Sequence, residues 1–257
     1  MLPRTLAWIG GAVFIYSCAG YSLALEYGRA DVADVAWGPG ILLAAALSFW
    51  LGGAHAARGL LVTALTAVWA ARLSAHIHAR NHGKPEDYRY RKWREEWGSS
   101  YKLRAFLQVF MLQGALMLVV ALPVVVTNLS RDRAWGVFDL LGALVWMAGF
   151  AIESVADAQL ARFAAEPANK GRLIQTGLWS WSRHPNYFGE VLLWWGLALV
   201  ALPLDHGTLG LLGAGTITFF ILKISGIPML EERMRLKPGF DDYARRTSAF
   251  FPLPPGR

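Results

Sequence analysis

Six ionisable side chains fall inside or at the edge of long apolar runs: Asp34, Arg72, Glu153, Asp157, Glu190 and Lys223. A charge at membrane depth is costly, and a chain that keeps one there usually uses it. Lysine has a stem long enough to reach the interface, whereas Asp and Glu do not. Glu153, Asp157 and Glu190 therefore point to a polar cavity more strongly than Lys223 does. Glu153 and Asp157 are four residues apart, as are Asn186 and Glu190, and Glu190 and Trp194, so each pair shares a helix face. Arginines and aromatic residues crowd the same stretches. Carboxylates accept from ribose hydroxyls or ring amino groups, and arginines grip phosphate oxygens as planar forks. The mixture suits a large cofactor with phosphates, sugars and a flat ring.

The elements that carry these residues are long and apolar. The stretch TGLWSWSRHPNYFGEVLLWWGLAL (176–199) passes from a basic patch directly into a helix greasy enough for lipid. The chain has 257 residues, 55% of them hydrophobic, with twelve tryptophans. Apolar runs of about 18 to 24 residues recur, the length that crosses roughly 30 Å of hydrocarbon. They are continuous rather than alternating, which excludes a β-barrel. The fold expected is all-α and polytopic, with about seven spans: 6–25, 35–51, 60–77, 106–126, 137–156, 188–202 and 209–224. Gly11, Gly142 and Gly149 are expected at close helix contacts. With no repeat or long linker, residues 1–257 read as one domain.

Basic residues concentrate in 80–102, 162–183 and the tail, while the other loops hold few. The positive-inside bias then puts the N-terminus outside and the C-terminus in the cytosol. All six ionisable residues fall at the cytosolic ends of their helices. The first run exceeds a signal-peptide core and lacks a small-x-small cleavage site, so it is expected to stay as a span. The net charge of +7 follows from the loops and does not indicate nucleic acid. The one cysteine, Cys18, excludes disulfides and cysteine-based metal sites within the chain. His76, His78, His82 and His184 are too few for a di-iron histidine site, with His55 and His206 on the far side, so no metal is expected. A G-x-G-x-x-G element after a strand is absent, as is a P-loop. A transporter reading fits poorly, since no broken helix pair faces the polar group.

The elements ESVADAQLARF (153–163), GRLIQTGLWSWSRHPNYFGEVLLWWG (171–196), EER (231–233) and FDDYARRTSAFFPLPP (240–255) resemble the C-terminal half of the steroid 5-alpha-reductase family, especially its bacterial members. ADVAWGPG (33–40) and RLSAHIHARNHGKPEDYRYRKWREEWG (72–98) extend the resemblance toward the N-terminus. Membrane sterol reductases and isoprenylcysteine-type methyltransferases share the RHPxY element and the acidic pair after it. An S-adenosylmethionine-dependent methyltransferase is therefore the alternative.

The resemblance implies NADPH-dependent reduction of the double bond of an enone in a hydrophobic substrate, a 4-ene-3-ketosteroid or a relative, that enters from lipid. It implies a monomeric protein of the bacterial inner membrane with its active site facing the cytosol. Spans one to four (about 1–127) would face the substrate, and the rest (about 134–257) the cofactor. Cofactor contacts are implied for Arg72, Asn81, Lys84, Asp157, Arg172, Asn186, Glu190, Trp194, Glu232 and Tyr243, with Arg183, His184 and Tyr187 in the same signature; Glu153 joins them through its shared face with Asp157. Hydride attack on the beta carbon builds negative charge on the ketone oxygen, so a donor is needed there. A carboxyl group in an apolar setting or a tyrosine hydroxyl meets that need. Asp34 fits the acid of the steroid enzymes. Their tyrosine is missing before Arg72, where VWAARL stands, which leaves Tyr88 or Tyr90 to donate.

Overall fold

The computed structural model describes residues 2–52, 57–131 and 133–255; His55 lies outside them. Among these residues the chain is helical, without a named strand and with one isolated bridge, Ser182 to Ser248. The helices are α1 (Leu2–Tyr27), α2 (Val32–Gly52), α3 (Ala57–Asn81), α4 (Tyr88–Trp97), α5 (Tyr101–Arg104), α6 (Leu112–Val120), α7 (Leu122–Leu129), α8 (Val137–Ala165), α9 (Pro185–Ala201), α10 (Leu209–Phe219), α11 (Ile227–Met234) and α12 (Phe240–Arg246). Two π-helical segments, Ala105–Met111 and Phe220–Ile224, continue α5 into α6 and α10 toward α11.

Six helical stretches are long and apolar enough to cross a membrane: Arg4–Tyr27, Val32–Gly52, Ala57–Asn81, Tyr88–Val120, Val137–Ala165 and Leu209–Met234. Phe14, Ile15, Leu60, Leu140 and Leu144 stand exposed along them. Lipid accommodates such surfaces, so the protein is a polytopic membrane protein. The expected sixth span corresponds to α9, whose 17 residues sit at the short limit for a crossing. The expected fourth span is broken near Ala121, because Pro123 at the start of α7 lacks the N–H that would continue the ladder.

The chain divides into two compact units: Met1–Ala134 with Ala201–Gly213, and Trp135–Val200 with Ala214–Arg257. In the first, α2 packs on α1 and α3 despite Pro39 in its interior. A proline at 39 frees the carbonyl of Val35, and the Ser74 hydroxyl donates to it at 2.9 Å. The Tyr16 hydroxyl donates to the next carbonyl, Ala36, also at 2.9 Å. Tyr90 packs nearby with Ala24, Ala30, Ala33, Val109 and Phe110.

In the second unit α8 and α9 approach through glycines spaced two turns apart. A Cβ on Gly142 would lie 2.6 Å from the carbonyl oxygen of Gly196, so only hydrogen fits. Gly149 meets Gly189 in the same way. Gly11 does not follow this pattern. It is exposed, and a Cβ there would meet nothing within 4 Å, so its place on a helix contact is corrected: it lies on an outer face of α1.

Candidate functional site

In the first unit the turn between α1 and α2 is latched to the segment that enters α4. Arg29 grips Asp31 with two donors at 2.6 and 2.7 Å, and Asp31 also accepts from the backbone N–H of Asp87 at 3.0 Å. Glu86 accepts from the N–H of Ala30 at 2.6 Å and from Arg94 at 3.1 Å. Asp87 is the N-cap of α4, accepting from the N–H of Arg89 at 3.0 Å and from its Nε at 2.9 Å. Burial pushes both Asp31 and Asp87 toward protonation. The arginine hydrogen bonds, the backbone donors and the arginine charges outweigh it, so each carboxyl lies below its ordinary value.

The latch delivers α4 to Asp34 in the first turn of α2. Oδ2 of Asp34 accepts from Nη2 of Arg89 at 2.5 Å, and Oδ1 accepts from the hydroxyl of Tyr90 at 2.7 Å. Of the two candidate tyrosines, Tyr90 is the one brought to Asp34; it is buried, while Tyr88, at the start of α4, is half-buried. Asp34 is thus held through both carboxyl oxygens, one by a guanidinium and one by a phenol. Arg72 is half-buried on α3, Asn81 closes that helix and Lys84 is exposed in the loop that follows. The Nδ2 of Asn81 is buried and makes no hydrogen bond among the described residues.

In the second unit the RHPNY element splits at Pro185, where α9 begins. Before it, Arg183 donates to Glu231 from Nε at 2.8 Å and to the carbonyls of Ala244 at 3.1 Å and Thr247 at 2.5 Å. His184, buried, has its Nε2 3.3 Å from the same Glu231 oxygen. After it, Asn186 donates to Asp157 on α8 at 3.1 Å. Glu153, one turn earlier on α8, is 2% exposed, and Trp194 is fully buried further along α9. Glu190 and Tyr187 are half-buried. The ladder of Asn186, Glu190 and Trp194 thus begins on the Asp157 side of α8.

The tail closes this arrangement. Ser182 donates to the carbonyl of Phe250 at 2.8 Å, and buried Tyr243 donates to the carbonyl of Trp179 at 2.5 Å. Burial pushes the Tyr243 hydroxyl well above the ordinary phenol value. Tyr243, Arg183 and His184 all face protein partners and build the walls of the unit. Glu232 is exposed on α11, and Arg172 is exposed with its carbonyl accepting from Lys237 at 3.1 Å. Arg89 and Asp87 are residues to which the sequence assigned no site role, and Glu231 stood there only as one of the acidic pair in EER. The signals available were the Asp at the N-cap position before α4 and the pairing of EER with RHPNY as two charged elements of opposite sign.

Fold and polar clusters define the class: a polytopic helical membrane protein with carboxyl-centred clusters near helix ends. A family model described as protein of unknown function (DUF1295) matches residues 20–247, and the chain belongs to that family. A Schizosaccharomyces pombe protein described as uncharacterized is 28% identical over 242 residues, a match that takes in 80% of this chain and 67% of that protein. No solved structure matches the chain.

Proposed function

We propose that this protein reduces the carbon–carbon double bond of a hydrophobic enone with NADPH, a 4-ene-3-ketosteroid being the best-fitting substrate class. The observation that carries the reading is the Tyr90 hydroxyl held 2.7 Å from Asp34 in the first unit. A phenol held in place by a carboxylate can become the donor for a ketone oxygen that gains negative charge, once its hydrogen bond passes from the carboxylate to the ketone. NADPH, when bound, supplies the hydride for the beta carbon. Tyr90 would hold the ketone and strengthen its hydrogen bond as charge builds there; the alpha carbon then takes a proton from water, giving the saturated ketone.

The residues present fit the cofactor. Asn81 Nδ2 and Ser154 Oγ are buried polar atoms without a hydrogen bond among the described residues. Glu153 and Asp157 are buried carboxyl groups of the kind that accept from ribose hydroxyls. Asn186 is oriented by Asp157, and Arg72, Lys84 and Arg172 supply charge for phosphates. Asp34 and Tyr90 belong to the first unit, and Glu153, Asp157 and Asn186 belong to the second. The loop charges support an N-terminus outside and a cytosolic C-terminus, and the resemblance to bacterial steroid 5-alpha-reductases supports a place in the bacterial inner membrane, where the protein would work as a monomer.

The Arg183–Glu231 contact favours a second reading, because it ties together the two elements shared with isoprenylcysteine-type membrane methyltransferases. Calorimetric titration of detergent-purified protein separates the two. Under the reductase reading NADPH binds, S-adenosylmethionine does not, and NADPH is oxidised only when an enone is added. Asn186→Ala and Glu190→Ala weaken NADPH binding about tenfold or more while the protein stays folded. Binding of S-adenosylmethionine alone, with no turnover across a 4-ene-3-ketosteroid panel, decides against the reductase.

A further inference from the structure

We infer that Arg89 is a positioning residue of this reaction: it keeps Asp34 anchored while the Tyr90 hydroxyl changes acceptor from Asp34 to the substrate ketone. The inference rests on the reductase reading. In the structure Tyr90 and Asp34 satisfy each other, so a substrate that takes the Tyr90 hydrogen bond leaves Oδ1 of Asp34 without it. A carboxylate at a mostly buried position, stripped of its partner, would oppose that exchange. Arg89 removes the difficulty, because its 2.5 Å bond to Oδ2 remains when Tyr90 turns away. No bond is made or broken by Arg89; one hydrogen bond moves from a carboxylate oxygen to a ketone oxygen.

The guanidinium is itself held in place. Its Nε and its backbone N–H both donate to Asp87, whose own N–H donates to Asp31, which Arg29 grips. The planar fork spans two carboxylates on different segments, Asp87 before α4 and Asp34 on α2. A lysine, with one point of charge, reaches only one of them. Arg89 also lies over the Tyr90 ring, 5.4 Å from its centroid, which keeps the phenol beside its acceptor.

The test uses the full-length protein in detergent, with Arg89→Gln, Arg89→Lys and Asp34→Asn. Arg89→Gln should lower kcat about 30-fold or more with KM for NADPH changed by less than about twofold, and Arg89→Lys should recover at least about fivefold of the loss. The infrared difference between wild type and Asp34→Asn should show an ionised carboxylate band that shifts in Arg89→Gln. If Arg89→Gln fails to fold, Arg89→Lys still reads both quantities, with a weaker loss of kcat and a smaller band shift. Wild-type kcat in a folded Arg89→Gln, or an unshifted band, overturns the inference and leaves the reductase reading standing. Wild-type protein that reduces no enone overturns that reading, and the inference with it.

Discussion

Gly189 on α9 faces Gly149 on α8 so closely that a Cβ on Gly189 would lie 2.6 Å from the carbonyl oxygen of Gly149 and 2.5 Å from the amide nitrogen of Glu153. The contact sets the height at which Glu153 and Asp157 meet the Asn186 end of α9. Backbone atoms line the space, so no side chain can rotate away to make room. Gly189→Ala should destabilise the protein by about 1–3 kcal/mol through overpacking. Gly11→Ala, on an open face, should stay within about 0.5 kcal/mol of wild type. Unfolding in detergent measures both, and equal losses would show that α8 and α9 separate easily.

Acid should loosen the first unit through Asp31. Its folded carboxyl lies below the unfolded value of about 3.9 because Arg29 and the Asp87 N–H hold it ionised. A depressed folded value means that the stabilisation is complete above the unfolded value and is lost as pH falls through the folded one. Asp31→Asn should cost about 1.5–3 kcal/mol at neutral pH, the range for hydrogen bonds to charged groups. The mutant's stability should also fall less steeply below about pH 4. A wild-type acid profile in the mutant would remove Asp31 from the latch.

Arg183 and Glu231 should be energetically coupled. Both are largely buried, with side chains 10% and 13% exposed. A double-mutant cycle with Arg183→Ala and Glu231→Ala should return a coupling of about 1–3 kcal/mol. Arg183→Ala alone should cost more than Glu231→Ala, because Arg183 also holds the carbonyls of Ala244 and Thr247. Limited proteolysis should then cut the tail of Arg183→Ala faster than that of Glu231→Ala. Additive single mutants would show that the pair is a contact without energetic weight.

The three glycines singled out in the sequence look alike there, each inside a long apolar helix. Two of them meet a neighbouring backbone and one meets nothing, a difference set by which way each helix face turns. Tyr88 and Tyr90 pose the same problem at closer range. Two residues along a helix is a rotation of about 200°, so only one of them can face Asp34. The choice depends on α2, 56 residues away in the chain. RHPNY shows the opposite case in part. The face shared by Asn186, Glu190 and Trp194 follows from helical spacing alone. Arg183 and His184 precede the helix, have no such periodicity, and turn to Glu231.

What the sequence determined by itself is what depends on short range. Apolar length determined that the helices are long enough for a membrane, and spacing of four determined which polar residues share a face; proline positions alone did not determine where ladders break, since α2 runs through Pro39 while the expected fourth span breaks before Pro123. The tertiary structure decided the pairings: Tyr90 rather than Tyr88 with Asp34, Arg89 as the second hold on that carboxylate, and Glu231 rather than Glu232 for Arg183. The physical reason is reach. Hydropathy and backbone hydrogen bonding act within a few residues, whereas a hydrogen bond across helices exists only once packing has brought two distant side chains within about 3 Å.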